Sequence, residues 1–444
     1  MRRFSVLAFA APSAALVLGV AAAAATESAP TYMNDVRPLL ARHCVSCHRP
    51  EGLNMGGMVA PMSLTTFAET RPWAKSIARA VKAGEMPPWH ASAQHRGVFR
   101  NERALSETER ATLLAWVDAG APRGTGDDAS LIDAPADGAA TAWSIGKPDV
   151  VVTMPEPYRL ADDVQDIYVD IEMDFPEGVA DGEHWIEAVE FKPGSSVVHH
   201  LLAYAVKPGG SKFDHGAQIG GMAPGNGGQI LPLGHGRLIP EGSKLVFEMH
   251  YAKEAGPGTA VSDVSQMALR FTKEEVLHNV SSDGVANWTF EIPANAPNHE
   301  VRAEHTFAKD VTVLSYIPHM HLRGKAARYT AHYPNGESEV LLDVPRYDFN
   351  WQTSYEYAEP KRLPRGTRLE VVMWFDNSAD NPENPNPEIA VAYGEPTVDE
   401  MMIGYLNFTN SEPGDLELEP IFQLGLWDDL SGTSSLSESG GGQR

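Results

Sequence analysis

The chain has 444 residues, with 35 Lys and Arg against 59 Asp and Glu, and its formal net charge is −24. This charge excludes proteins that bind nucleic acid through a basic surface, because such proteins concentrate Lys and Arg. Apolar residues make up 43% of the chain and charged residues 21%, which excludes an intrinsically disordered protein. The two cysteines are too few for a secreted scaffold held together by disulfides.

The first 25 residues have the pattern of a secretory signal peptide. Arg2 and Arg3 precede an apolar stretch that ends in small residues. A membrane anchor is the alternative interpretation of such a stretch. We expect residues 1–25 to be removed on export, which gives a periplasmic protein with no membrane span in its mature form.

Helical patterns dominate residues 30–123. Apolar residues recur at helical spacing around Ile77 and Trp116, and Ser106 with Glu109 forms a capping box. These patterns predict a small all-α domain. Residues 124–142 are rich in Gly, Ala and Asp, which predicts a linker.

A C-x-x-C-H motif lies in the helical region, as Cys44-Val-Ser-Cys47-His48. Two thiols at this spacing on a helical turn can each bond a porphyrin vinyl group, and the adjacent histidine then reaches the iron. A redox dithiol and half of a zinc site are the alternatives, but the chain has no second cysteine pair and no βαβ pattern around the motif. We therefore predict one covalently bound haem c, in a region that resembles a class I cytochrome c.

Met86 is the predicted sixth ligand of the haem iron. It lies in Gly84-Glu-Met-Pro-Pro-Trp-His90, a segment that resembles those of small cytochrome domains fused to bacterial enzymes. A thioether ligand favours reduced iron. The alternatives are a core role for Met86, since methionine commonly fills gaps in cores, and iron ligation by His90 or His95.

Short alternating runs separated by Gly and Pro turns begin near Trp143 and are typical of β-sandwiches. Because the region is too long for one sandwich, we expect two, at 143–283 and 284–427, before a disordered tail at 428–444. The predicted fold class is thus a small all-α cytochrome c domain followed by two all-β, jelly-roll-like sandwich domains. Representative runs are 166–172, 184–191, 197–206, 244–251, 311–316 and 368–375.

Two histidine motifs lie in predicted strands. His319-Met-His321 places two imidazoles on one face of a strand, about 6.6 Å apart, where both could bind one metal ion. His199 and His200 are adjacent and face opposite ways on a regular strand, so they could share a metal only at a bend or bulge. Either motif alone is weak evidence, because most histidines are ordinary surface or core residues.

His250 and Met401 are candidates to complete two metal sites. His250 would add a third imidazole to the adjacent pair, and Met401 would add a thioether to the H-x-H motif. Imidazoles alone suit copper in both oxidation states, whereas methionine favours Cu(I). Zinc hydrolysis is a weaker alternative, because no general-base carboxylate accompanies the ligands as it does in H-E-x-x-H.

Five motifs of the β region occur in a recognisable order. Together they resemble the copper type II, ascorbate-dependent monooxygenase family, which includes peptidylglycine α-hydroxylating monooxygenase and dopamine β-monooxygenase. The resemblance extends over the whole β region. The motifs are Val197-Val-His-His-Leu-Leu-Ala-Tyr204, Phe247-Glu-Met-His-Tyr251, Pro318-His-Met-His-Leu-Arg-Gly-Lys325, Tyr347-Asp-Phe-Asn-Trp-Gln352 and Asp399-Glu-Met401.

The resemblance implies two copper ions, one in each sandwich domain, with a solvent-filled cleft between them. The first copper would relay electrons, and the second would bind O₂ and hydroxylate a C–H bond. Tyr405 matches a tyrosine that helps to bind substrate in the peptide-hydroxylating members. The implied ligands are His199, His200 and His250 for the first copper and His319, His321 and Met401 for the second.

Three features depart from the family. The animal members carry disulfides, and none is possible here beyond the two cysteines assigned to haem. Ile317 and Ile403 stand where the peptide enzymes have an arginine, which binds the glycine carboxylate, and an asparagine. The family takes electrons from ascorbate, whereas this chain has its own haem motif. We therefore expect a substrate other than a peptidylglycine.

The sequence thus predicts a copper-dependent monooxygenase that acts with O₂ on a small organic substrate. A periplasmic donor would reduce the haem, and tethering the haem to the copper region would raise the local donor concentration. A non-catalytic haem and copper protein, either an electron carrier or a sensor, is the alternative from another class.

Overall fold

The computed structural model describes residues 29–49, 60–131 and 143–421. The predicted signal peptide, most of the predicted linker and the predicted tail lie outside these residues. No helix in the described part of the chain has both the length and the apolar character needed to cross a membrane. A π-helical turn at Tyr32–Val36 leads into the first helix, and the helices are α1 (Arg37–His43), α2 (Phe67–Thr70), α3 (Ala74–Ala83) and α4 (Glu107–Asp118).

The ends of the helices follow from local capping. At the start of α4 the Ser106 hydroxyl accepts a hydrogen bond from the Glu109 backbone, and the Glu109 carboxylate accepts one from the Ser106 backbone. This confirms the predicted capping box. Gly84 ends α3 in the left-handed conformation, with φ 70°, which costs glycine little because it has no Cβ.

Strands occupy most of residues 143–421, and all six of the runs named above are confirmed as strands. In the first half they are β1 (Val150–Thr153), β2 (Tyr158–Leu160), β3 (Asp166–Asp174), β4 (His184–Lys192), β5 (Val198–Val206), β6 (Gln218–Met222), β7 (Gln229–Ile230), β8 (His235–Ile239), β9 (Lys244–Ala252), β10 (Val261–Asp263), β11 (Gln266–Phe271) and β12 (His278–Asn279). In the second half they are β13 (Ser281–Ala286), β14 (Glu291–Ile292), β15 (His299–Thr306), β16 (Val311–His319), β17 (Gly324–His332), β18 (Ser338–Val344), β19 (Tyr355–Leu363), β20 (Arg368–Phe375), β21 (Val391–Ala392) and β22 (Ile403–Asn410).

These strands form several small sheets in which neighbours run antiparallel, apart from the parallel pair β8 and β12. One sheet has the order β1-β11-β4-β8-β12, with β7 beside β4. Three have four strands, in the orders β3-β9-β5-β6, β13-β22-β16-β19 and β15-β20-β17-β18. Two further pairs, β2 with β10 and β14 with β21, complete the set.

Two large hydrophobic clusters lie among these sheets. One contains Phe191 and Phe247 and draws on the strands before β12. The other contains Tyr316 and Phe375 and draws on the strands from β13 onward. Strand alternation explains this packing, because every second side chain of a strand points to the same face.

The predicted fold class is wrong. The structure is a β-rich fold of several small antiparallel sheets, and its described residues contain no all-α cytochrome domain followed by two jelly-roll-like sandwiches. The helices before β1 have only 7, 4, 10 and 12 residues. Helical periodicity was correctly identified in these segments, but periodicity does not determine whether short helices form a domain of their own. The domain boundaries stay predictions.

The segment between α3 and α4 packs against the strands. Phe99 is 3% exposed, belongs to the same hydrophobic cluster as Tyr316, and pairs in a β-bridge with Tyr357. Trp89 lies edge-on to Tyr355, with ring centroids 5.0 Å apart. A smaller cluster around Leu40 and Trp116 joins the short helices to one another. The apolar residues of this region are therefore divided between its own small cluster and the β core.

Candidate metal centre

A β-bulge brings His199 and His200 to the same side of β5. The register with β9 shifts between Val198 and His200, so that Val198 is opposite Tyr251 and His200 is opposite His250. His199 is the extra residue and escapes the alternation of a regular strand. A shared metal at adjacent strand residues needs a bend or bulge, and the register shift supplies a bulge at this point.

The imidazoles of His199, His200 and His250 converge. Nδ1 of His200 lies 3.4 Å from Nδ1 of His199 and 3.3 Å from Nδ1 of His250. Two nitrogens held about 2.0–2.1 Å from one metal ion at a tetrahedral angle are separated by about 3.3–3.4 Å. The spacing of this trio therefore fits a shared metal ion.

Partners on the far side of the ring set the orientation of His250. Its Nε2–H donates to Asp166 at 3.1 Å, and Asp166 also accepts a hydrogen bond from the Thr397 hydroxyl. The Tyr168 ring stacks on one face of the His250 imidazole, with ring centroids 4.1 Å apart and an interplanar angle of 6°. Because the proton is held on Nε2, the lone pair of Nδ1 points into the trio, which is the arrangement typical of carboxylate–histidine–metal sites.

Burial keeps the imidazoles of His199, His200 and His319 neutral, as metal ligation requires. Desolvation lowers the pKa of His199 to about 3, and the neighbouring His250 and His319 lower it further. Desolvation also lowers the pKa of His200 well below its usual value. The same cause lowers the pKa of His319 to about 4, against a hydrogen bond with Gln352 that raises it. At neutral pH these rings thus carry lone pairs and no charge.

The second histidine pair has its own orienting contacts. Nδ1–H of His319 donates to the side-chain oxygen of Gln352 at 2.7 Å, and Nδ1–H of His321 donates to the carbonyl of Asp399 at 3.2 Å. Each ring is thereby left with Nε2 as its metal-binding atom. Nε2 of His321 is buried and has no hydrogen-bond partner, so this pair also fits a metal ion.

Glu400 connects the H-x-H segment to Met401. Its carboxylate accepts hydrogen bonds from the backbone nitrogens of His321 at 2.9 Å, Arg323 at 2.6 Å and Met401 at 3.3 Å. Burial raises the pKa of Glu400 to about 8, against the effect of these N–H donors. The contacts bring the Met401 segment beside His321, and Met401 itself is 8% exposed.

The two histidine sets are in contact with each other. The rings of His200 and His319 have centroids 6.3 Å apart at 89°. Phe349 stacks on His199 at 4.6 Å and 16° and lies edge-on to His321 at 6.1 Å. The resemblance implied a solvent-filled cleft between two metal sites; Phe349 lies between His199 and His321, and the solvent-filled cleft stays a prediction.

A cavity of about 420 Å³ opens beside both sets and has His200, His319 and Met401 in its wall. Tyr405 also lines it, with its ring 6.1 Å from that of His319. The wall contains one ammonium group, that of Lys212, which forms ion pairs with Asp170 and Glu248. The apolar and aromatic side chains of the wall include Tyr168, Leu202, Tyr204, Phe213, Trp288, Ile317 and Ile403. The wall also has five carboxylates, which belong to Asp170, Asp214, Glu248, Asp283 and Glu395.

The C-x-x-C-H motif forms tight turns directly after α1. The backbone nitrogens of Cys47 and His48 both donate to the carbonyl of Cys44. Desolvation raises the pKa of the Cys44 thiol to about 12, and the Cys47 thiol adds to this effect. Nδ1–H of His48 donates to the Met62 carbonyl at 3.2 Å, which leaves Nε2 for an iron ligand.

The three candidates for a sixth iron ligand differ in their surroundings. Met86 is partly buried and lies two residues after Gly84, the residue that ends α3. His90 and His95 are 6% and 8% exposed, and the His95 ring packs near Phe99 at 6.0 Å. Both histidines thus lie on the part of the segment that packs against the strands.

Several residues of the centre were not identified from the sequence. Asp166, Tyr168 and Thr397 are far along the chain from His250 and belong to no metal-binding motif. Phe349 and Gln352 belong to the motif at residues 347–352, but their spacing does not indicate a contact with the histidines. Glu400 precedes Met401, and a carboxylate in that position resembles any other surface acid in a sequence.

No protein-family model matches the chain, and no curated protein matches it at a significant level. Partial structural likenesses include the VP2 subviral particle of infectious bursal disease virus, at 8% identity over 61% of this chain and 75% of that chain, with a TM-score of 0.20. A xanthan lyase from Paenibacillus has 8% identity over 60% and 25%, with a TM-score of 0.16. Oxalate decarboxylase from Bacillus subtilis has 6% identity over 60% and 78%, with a TM-score of 0.13. These TM-scores are too low to support any inference about fold or function.

Proposed function

We propose that the protein is a periplasmic copper-dependent monooxygenase that hydroxylates a C–H bond of a small organic substrate. One oxygen atom of O₂ enters the product and the other leaves as water, which consumes two electrons and two protons. A periplasmic electron donor supplies the electrons through haem c attached at Cys44 and Cys47. The proposal concerns this attachment motif and not a cytochrome fold around it.

The donor sets support two copper ions of different character. His199, His200 and His250 would hold one ion through three imidazole nitrogens. A second ion would be held by the H-x-H imidazoles together with the Met401 thioether, a set that favours Cu(I). When bound, the copper ions supply one-electron redox chemistry and O₂ activation, and the haem supplies electrons.

The observation that carries the proposal is the shared cavity. Both histidine sets reach one space of about 420 Å³, through His200 on one side and His319 on the other. An electron carrier needs no such space beside its metals, whereas an enzyme needs room for a substrate. This contrast favours the enzyme over the non-catalytic alternative.

The part of the cavity wall beside His319 supports a largely apolar reacting group. Ile317 and Ile403 line the cavity at the positions where peptide-hydroxylating enzymes have polar residues. Lys212 is held by Asp170 and Glu248, at 2.6 Å and 2.7 Å, so its charge is already compensated. Tyr405 places an aromatic ring close to His319, where it would orient a bound substrate.

Contacts between the haem motif region and the β region support electron delivery within one chain. Arg103, whose pKa is lowered by burial, lies near the sulfur of Cys47 and near Glu356. The guanidinium group of Arg103 donates to the Gly225 carbonyl at 2.9 Å, and the adjacent Asn226 donates to the Gln352 carbonyl at 2.9 Å. These contacts connect the surroundings of Cys47 to the residue that orients His319.

The test uses exported full-length protein that contains haem and has been loaded with copper. It is incubated with a periplasmic extract, a reductant and ¹⁸O₂, and mass spectrometry follows labelled products. We expect two copper ions per chain and one ¹⁸O atom per product molecule. Met401→Leu should leave about half of the copper and abolish turnover, since a thioether ligand is lost.

Met402→Leu is the matched control, because Met402 is 0% exposed and packs in the hydrophobic cluster of the second half. It should retain both copper ions and full turnover. A product without label, or full turnover in Met401→Leu, would contradict the proposal.

A further inference from the structure

One short segment touches both histidine sets. It comprises residues 347–352, between β18 and β19, and we call it the bridging segment. The Tyr347 hydroxyl donates to the carbonyl of Met320 at 2.8 Å and accepts from its nitrogen at 3.2 Å. At the other end, Gln352 accepts from His319. The backbone around the H-x-H motif is thus fixed by the two ends of the segment.

Phe349 lies in the middle of the bridging segment and contacts one ligand of each proposed metal site. It stacks nearly parallel to His199, at 16°, and almost perpendicular to His321, at 84°. It is partly buried and packs against the hydrophobic cluster of the second half. Of the described aromatic rings, Phe349 is one that meets both sets without offering a ligand atom.

We propose that Phe349 is a positioning residue shared by the two metal sites, so that filling one site raises the affinity of the other. This inference rests on the two-metal part of the proposed function. A metal ion in the trio fixes the His199 ring, and the ring stacked on it then loses its freedom to move. The His321 ring packs on the same phenyl group and is ordered before the second ion arrives, which reduces the ordering cost of that binding step.

Repulsion between the two cations acts against this effect. Repulsion depends on the ions and their ligands, and it stays the same when Phe349 is replaced by another apolar side chain. The difference between wild type and such a variant therefore isolates the contribution of the ring.

The test measures Cu(I) affinity of the full chain by anaerobic competition with a chromophoric chelator. His250→Ala removes a ligand from the trio without touching Phe349, and the affinity of the remaining H-x-H site is compared with wild type. When Phe349 is present, we expect His250→Ala to lower the Cu(I) affinity of the H-x-H site by roughly 5-fold or more, a typical size for coupling between sites. In the Phe349→Leu background the same change should alter the affinity by less than about 2-fold.

Two further variants control for indirect effects. Phe290→Leu removes another ring of the same hydrophobic cluster, 8% exposed and stacked on Phe375, and should leave the coupling intact. Phe349→Tyr keeps the aromatic ring and should retain the coupling even if the leucine variant folds poorly.

Equal coupling in wild type and Phe349→Leu, or no coupling in wild type, would overturn the inference. A wild-type chain that binds fewer than two copper ions would overturn both this inference and the two-metal proposal. Two coupled copper ions without any hydroxylated product would overturn the proposed reaction alone.

Discussion

Asp166 determines which nitrogen of His250 is available to a metal ion. Burial raises the pKa of Asp166, but hydrogen bonds from His250 and Thr397 outweigh this effect and lower the pKa below its usual value. The carboxylate therefore stays ionised and keeps the imidazole proton on Nε2. Nδ1 is left to face His200 at 3.3 Å.

Replacing this carboxylate should weaken the trio. We expect Asp166→Ala to lower the copper affinity of the trio by about 10–100-fold, because outer contacts of this kind orient the ligand and raise its basicity. Asp170→Ala on the same strand is the control, since Asp170 pairs with Lys212 and not with a histidine. Competition titration measures the copper affinity of the trio in both variants. Equal affinities in Asp166→Ala and Asp170→Ala would show that Asp166 does not orient His250.

The residues that could be predicted from the sequence are those within short motifs. The sequence shows four of the histidines as candidates because each has another histidine one or two positions away. They are His199, His200, His319 and His321. Asp166 could not be predicted, because it reaches His250 only through the pairing of β3 with β9. That register is a property of the sheet and leaves no mark in the local sequence.

Sheet elements explain how adjacent histidines come to share a site. The doublet at residues 199 and 200 required a bulge, and the pairing of β5 with β9 contains one at that point. The position of a bulge could be inferred only by assuming the metal, since a single extra residue does not alter the alternating pattern of β5. In contrast, the six runs named from the sequence begin and end within three residues of a strand, because alternation extends over the length of each run.

The connection between β16 and β17 depends on one buried carboxylate. Glu400 accepts three backbone hydrogen bonds, and Glu400→Ala leaves those three N–H groups without an acceptor. Each buried donor left unpaired costs about 1–3 kcal/mol. We expect a lower free energy of unfolding and loss of copper from the H-x-H site, with copper retained in the trio.

Chemical denaturation and copper analysis check this expectation. Glu395→Ala is the matched control, because Glu395 lies five residues before Glu400 but is exposed. Two copper ions and unchanged stability in Glu400→Ala would show that the carboxylate does not hold the loop.

At the scale of the whole molecule, the segment between α3 and α4 unites the helical and β parts. Ser92 donates through its backbone to Asp343 at 2.8 Å, and Arg100 does so to Glu356 at 2.8 Å. With Phe99 inside the β core, this segment does not behave as part of a separate helical domain. The sequence could not indicate this, because the spacing of apolar residues shows that a face is buried and not which element covers it.

His90 makes this packing sensitive to pH. It is 6% exposed, and desolvation lowers its pKa to about 4, although Asp348 raises it and Arg346 and Arg103 lower it further. An unfolded chain takes up a proton on this histidine below about pH 6.5. Between pH 6.5 and 4 the unfolded state therefore binds more protons than the folded state, so stability falls as the pH falls through that window.

We expect His90 to contribute a slope of up to about 1.4 kcal/mol per pH unit in the window from pH 6.5 to 4, with no contribution above it. Other buried histidines add their own slopes, so the comparison is between wild type and His90→Gln at each pH. Urea denaturation at pH 7, 6 and 5 should show that the free energy of unfolding of the wild type falls relative to that of His90→Gln as the pH falls. A difference that does not depend on pH would mean that the pKa of His90 is the same in the folded and the unfolded chain, and the burial at the junction of the helical segment with the strands would then not act on its charge.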